Sequence, residues 1–130
     1  MKLVKAGLIL IAVSSLANHP TGNVAPATGV MASLRQEHDR IRSANSTRPV
    51  GLSTTPDVSS LVGKRRSDIL VGLGEPDACP AHDHGGCAAV GEWLYLFYKL
   101  PAGWRGGGPE LHLNFDAAQR CLRAEWVFTQ

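Results

Sequence analysis

The chain has 130 residues, with 13 Lys and Arg against 11 Asp and Glu and a formal net charge of +2. That length suits one domain rather than two, and so small a basic excess argues against a nucleic-acid-binding surface. Apolar residues make up 44% of the chain but are unevenly spread, and the elements follow from that distribution.

Residues 1–17 have the three parts of a secretory signal peptide. Lys2 and Lys5 form a positive start, Leu8 to Val13 an apolar run, and Ser15-Leu16-Ala17 a small-residue cleavage site, with cleavage expected after Ala17. The run is short of the roughly 20 apolar residues that span a bilayer; an uncleaved membrane anchor is the alternative. No cysteine follows it, so lipid attachment at a new amino terminus is not expected. Losing Lys2 and Lys5 leaves 11 residues of each sign. Residues 18–57 read as a polar, largely disordered tether, rich in Pro, Gly, Asn and Thr over 18–28 and polar again from Ser43 to Asp57. Such composition buries too little apolar surface to offset the entropy of ordering. One helix is expected near 30–42, where Met31, Leu34, His38 and Ile41 recur on one side. Arg35, Glu37, Asp39, Arg40 and Arg42 read as its solvated face.

The compact domain is expected over 58–130, a size at which a core is thin and a covalent staple helps. Val58 to Gly63 reads as a short helical turn ended by glycine. Lys64 to Gly74 reads as a helix with Ile69, Leu70 and Leu73 on one side, Gly74 as its left-handed stop and Pro76 preventing continuation. Lys64, Arg65 and Arg66 at its start face either solvent or an acidic partner. The period then changes to two. Glu92 to Leu100 reads as a first strand. Leu111, Leu113 and Phe115 alternate with polar residues in a second, and Leu122, Ala124, Trp126 and Phe128 form the apolar side of a third. Asp116 to Arg120 is short enough for a hairpin turn, and Gly106-Gly107-Gly108 reads as flexible loop. The fold class expected is α+β: two short helices packed on a three-stranded antiparallel meander in two layers.

The residues from Leu61 to Asp77, with Gly63, Leu73-Gly74 and Pro76, resemble the signature of the SmpA/OmlA (BamE-like) envelope domains. Trp93-Leu94-Tyr95 resembles the opening of that family's first strand, and Leu111 to Asp116 its second strand. The resemblance spans about residues 58–128. It implies a helix-helix-strand-strand-strand fold in an outer-membrane or periplasmic protein that helps assemble or stabilise other proteins. The same fold resembles that of secreted β-lactamase inhibitor proteins, which also act by binding. The sequence departs from the BamE-like pattern in lacking a lipid-anchoring cysteine after its signal and in having three cysteines in the domain.

Cys79-Pro80-Ala81-His82-Asp83-His84-Gly85-Gly86-Cys87 is the sharpest local feature. It is expected to be a Cys79–Cys87 disulfide, which suits an oxidising compartment. The alternative is a metal site built from Cys79, His82, His84 and Cys87. Cys121 is left unpaired by the first reading, or could meet Cys87 instead. The nearest set for nucleophilic catalysis is Cys121, His112 and Asp116. It matches no nucleophile motif, and neither catalysis nor a cofactor is expected. Gly72-Leu73-Gly74 lacks the third glycine and preceding strand of a dinucleotide loop.

Both faces of the first strand are apolar, whereas a sheet covered on one side needs only one such face. Trp93, Tyr95 and Phe97 form one set, and Leu94, Leu96, Tyr98 and Leu100 the other. The second set is covered by the amino-terminal segment, a second copy or a partner protein. Leu94, Leu96 and Tyr98, rimmed by Trp104 and Arg105, are therefore the expected partner-binding residues. The function expected is a periplasmic or secreted binding module for envelope proteins, accessory to outer-membrane assembly or envelope integrity. The alternatives are an exported metal-binding protein and a secreted inhibitor-type domain. Peripheral membrane association and oligomeric state are left open.

Overall fold

The computed structural model describes residues 29–79, 87 and 91–130. The expected signal peptide lies outside them. Chain order is helix α1 (Val30–Ser43), strand β1 (Val50–Gly51), a 3-10 turn (Ser59–Leu61), helix α2 (Arg66–Leu73), and strands β2 (Glu92–Leu96), β3 (Tyr98–Lys99), β4 (Pro109–Phe115) and β5 (Cys121–Phe128). All strand pairing is antiparallel. β2, β4 and β5 form a three-stranded sheet in that order, and β1 pairs with β3 in a second, two-stranded one. Over the described residues the molecule is thus α+β, with two helices and two small sheets.

Helix α1 forms where its period predicts. Leu34, His38 and Ile41 face inward, while Arg35–Asp39 and Arg40–Glu37 pair on the outer side at helical spacing. Arg40 and Arg42 lie in its last turn, where the helix dipole favours cations, and Lys99 Nζ donates to the carbonyls of Arg42 and Ala44 just beyond. Residues before the expected boundary at 58 pack against the sheet. Leu34 and Ile41 are 1% and 0% exposed and belong to the same core as the sheet, and β1 pairs with β3. A short amphipathic helix draws its stability from burial against a tertiary partner, and composition within residues 18–57 could not reveal that partner.

Helix α2 begins at Arg66 rather than Lys64, because Arg65 is extended and Lys64 and Arg65 bridge to the start of β5 and its hairpin turn, with Arg65 opposite Arg120. Cys121 N–H donates to Lys64 carbonyl, and Arg66 N–H to that of Gln119. Gly74 ends the helix at φ 82°, where an L side chain is strained, and Tyr95 Oη donates to its carbonyl at 2.8 Å.

Trp93, Tyr95, Leu111 and Leu113 form the buried inner face of the main sheet, joined by partly buried Ala124 and Trp126 and by Phe97 just past β2. Leu34, Ile41, Val58, Leu61, Ile69 and Leu73 complete the core with them. Two expectations for the strands are corrected. Glu92 to Leu100 is not one strand. At Phe97 the chain leaves β4, with Phe97 N–H bonded to Pro109 carbonyl and its own carbonyl accepting from Leu52, and Tyr98–Lys99 then pairs with β1. In β5 the register shifts. Asn114 faces Arg123 but Phe115 faces Cys121, so Leu122 is an extra, bulged residue. Cys121 takes the inward position and Leu122 is 65% exposed. Gly107 and Gly108 are close-packing positions rather than flexible loop: a Cβ on Gly108 would lie 2.7 Å from Tyr98 Cβ, and one on Gly107 would collide with Thr129.

Candidate functional site

The outer face of the main sheet follows from the register. Glu92, Asn114 and Arg123 form one row, Leu94, His112 and Glu125 the next, and Leu96, Glu110 and Val127 the third. Leu94, Leu96 and Val127 are half-buried and stand outside the hydrophobic core. Between them lies a fixed polar knot around Glu110, which is only 8% exposed. Tyr98 Oη and Thr129 Oγ1 lie 3.1 and 3.2 Å from its Oε2, and His112 Nε2 lies 3.1 Å from its Oε1. His112 Nδ1 faces Glu92 Oε1 at 3.7 Å, so the imidazole stands between two carboxylates. A buried carboxylate requires such partners, because desolvating it unpaired is costly.

The expected partner-binding residues separate into two places. Leu94, Leu96 and Tyr98 belong to the outer face and its knot. Trp104, 53% exposed, instead lines an open cleft of ≈ 390 Å³ with Ala44 to Arg48, Lys99 and Leu100. Arg105 is exposed on the same loop. Glu110 and Val127 were not among the expected residues, although the strand alternation places them on the face opposite Leu111 and Trp126.

The β2 edge of this face is closed. Leu94 and Ala78 exchange both backbone hydrogen bonds, and Leu96 N–H donates to Asp77 Oδ2 at 2.7 Å. The same Asp77 oxygen accepts from His38 Nε2 at 2.7 Å and forms an ion pair with the Arg42 guanidinium at 3.1 Å. Burial alone would push the Asp77 carboxyl up; the hydrogen bonds from His38 and the Leu96 amide, with the charges of His38 and Arg42, outweigh it and hold the carboxyl below the usual range. His38 also meets Tyr95 and Phe97 edge-on. Burial pushes the Tyr95 phenol upward.

Cys79 and Cys87 are joined in a disulfide, with Cα atoms 5.4 Å apart, and Trp93 Nε1 donates to the Cys87 carbonyl. The bond fits an oxidising, non-cytoplasmic compartment. Sulfurs bonded to one another are not thiolate ligands, so the Cys79–Cys87 half of the alternative metal site is not assembled; His82 and His84 lie outside the described residues. The alternative pairing of Cys121 with Cys87 is likewise corrected: Cys121 is a free, buried thiol. It donates to Arg123 carbonyl, and burial pushes its pKa up. Cys121 points into the core while His112 stands on the outer face, with the sheet between them. Asp116 Oδ1 accepts the Ala118 and Arg120 amides of the hairpin turn. These three residues do not form a nucleophile–base set. Lys64 and Arg65 are exposed, and the Arg66 guanidinium lies 6.0 Å from the centroid of the Phe115 ring.

Among the described residues, no helix is long and apolar enough to cross a membrane. No family model, curated protein or solved structure matches the chain.

Proposed function

We propose that the chain is a non-catalytic binding module of the cell envelope, exported through its amino-terminal signal, which presents the outer face of its main sheet to a partner protein. The observation that carries this reading is the grouping of Leu94, Leu96 and Val127 outside the core around the Glu110 knot. Apolar side chains flanking satisfied polar groups suit a protein interface, in which an apolar centre is oriented by a few fixed hydrogen-bonding groups. Tyr98 and Thr129 hold Glu110 in place beforehand, so binding need not order it. Trp104 and Arg105 supply a second contact from the neighbouring loop. The succession of short turn, helix and three antiparallel strands over 59–128 supports the BamE-like reading, with α1 as an added element in the core. A role assisting outer-membrane assembly or envelope integrity follows from that resemblance.

The test is an in-cell cross-link from a probe at position 96. Capture of one dominant envelope protein, lost in the Leu94→Asp/Leu96→Asp variant while the variant stays folded, is the expected result. Capture of only the chain's own amino-terminal segment would make this face internal and end the proposal.

A further inference from the structure

The two edges of the main sheet are finished differently. On the β2 side, Ala78 pairs with Leu94 and Asp77 takes the Leu96 amide. On the β5 side, backbone pairing among the described residues is confined to the first residue: Gly63 N–H donates to Cys121 carbonyl, and Cys121 N–H to Lys64 carbonyl; further along, the Trp126 indole, on the inner face, donates to the Pro56 carbonyl at 2.8 Å. Beyond Cys121, the direction of each backbone group follows from alternation. Phe97 N–H bonds Pro109 carbonyl, and Phe115 N–H bonds Gly91 carbonyl, so Pro109 and Phe115 turn their backbone groups towards β2. Glu110, His112 and Asn114 therefore bond β5, through Val127, Glu125 and Arg123. The N–H and C=O groups of Ala124, Trp126 and Phe128 then point away from the sheet. Among the described residues, none of these three has a further backbone hydrogen-bond partner. Natural edges are usually blunted by proline, by an inward-pointing charge or by cover. From Arg123 to Phe128 the strand has no proline, its charged residues sit on the outer face, and Phe128 is exposed at its end.

We infer that this edge of β5 pairs antiparallel with the same edge of a second copy of the chain, about a two-fold axis at Ala124. The side chains select both the occupant and the register. An axis on Glu125 would set two glutamates directly opposite each other. An axis on Trp126 would set Glu125 against Val127. The axis on Ala124 sets Arg123 of each copy opposite Glu125 of the other, twice. Reversing Arg123-Ala124-Glu125 gives its own charge complement, so the fitting partner strand is β5 itself. Within one copy the two charges make only a 3.7 Å contact, with side chains 66% and 48% exposed, and both are free to turn to a neighbour. Ala124 amide and carbonyl exchange two hydrogen bonds across the axis, giving a continuous six-stranded sheet in an isologous dimer. This contact does not depend on what binds the outer face.

The purified full chain should show a concentration-dependent monomer–dimer equilibrium in sedimentation velocity. Arg123→Glu and Glu125→Arg, each alone, should weaken dimerisation about tenfold or more by setting like charges opposite. An equimolar mixture of the two variants should dimerise again, because the acidic edge of one then meets the basic edge of the other. Ala124→Pro should abolish the dimer without disturbing β4–β5 pairing, since its lost N–H points outward. Should that variant misfold, the charge series decides by itself. A wild-type chain that stays monomeric up to about 100 times a micromolar encounter Kd, or a dimer indifferent to both charge variants or not restored on mixing, overturns the proposal.

Discussion

Asp77 ties α1 to the edge of β2 through one carboxylate, accepting from His38 and the Leu96 amide and pairing with the charge of Arg42. Replacing it by Asn leaves shape nearly unchanged but removes the charge that holds Arg42 and orients His38. Asp77→Asn should cost about 1–3 kcal/mol, the cost of leaving partly buried donors without a charged acceptor. The loss should depend on pH. As pH falls, the carboxyl in the unfolded chain protonates first, near its ordinary value of 3.8, while the folded chain keeps its carboxylate to lower pH. The unfolded state then binds more protons, so the stability due to Asp77 is full above that value and fades as pH falls through the lower folded value. Urea midpoints of the wild type and the variant should therefore converge in the acid range. Curves that stay parallel to the lowest pH would show that charge at Asp77 is unimportant.

At the scale of elements, packing decides where strands start, break and slip. Tyr98 lies against Gly108 and reaches Glu110, so the apolar run from Glu92 to Leu100 divides after Leu96 and its tail serves a different sheet. The bulge at Leu122 puts Cys121 into the core, where its thiol is a small apolar filler rather than a reactive group. The Cys79–Cys87 link closes a short loop whose ends are fixed by Ala78 pairing with Leu94 and by Trp93 holding the Cys87 carbonyl. Its removal in Cys79→Ala/Cys87→Ala should lower stability by roughly 2–3 kcal/mol on the chain-entropy estimate for a loop of about nine residues. Guanidine midpoints of oxidised wild type, reduced wild type and the double variant check it. An unchanged midpoint in the last two would rule out a stabilising role for the bond.

For the whole molecule, α1 is the element that makes a core of the sheet's inner face. Trp93, Tyr95 and Phe97 are large side chains, and the 3-10 turn and the eight-residue α2 share their cover with Leu34 and Ile41 of α1. Leu34→Ala should cost about 2–5 kcal/mol, the usual range for emptying a buried leucine site. A chain beginning at Val58 should lose cooperative melting, because it exposes that inner face. A sharp thermal transition with native near-ultraviolet circular dichroism in the truncated chain would contradict this. Covering one face in this way leaves the other face and the β5 edge for the partner protein and the second copy proposed above.

Much of the architecture was legible in the amino-acid order, wherever the controlling interaction is local. Gly63 and Gly74 stop their turns because positive φ is a property of single residues. The stripe of Leu34, His38 and Ile41 specifies a helix, and the alternation over Leu111 to Phe115 a strand, because period and conformation are linked within a few residues. Cys79 and Cys87 are near enough in the chain for their bond to be read from spacing and compartment. The tertiary structure alone decided the docking of α1 on the sheet, the departure of the chain at Phe97, the bulge that exchanges Cys121 for Leu122, and the separation of Trp104 from Leu94 and Leu96. It also decided that Asp77 meets His38, 39 residues away. Each of these depends on which distant surfaces fit and exclude water together, and that complementarity exists only once the chain has folded.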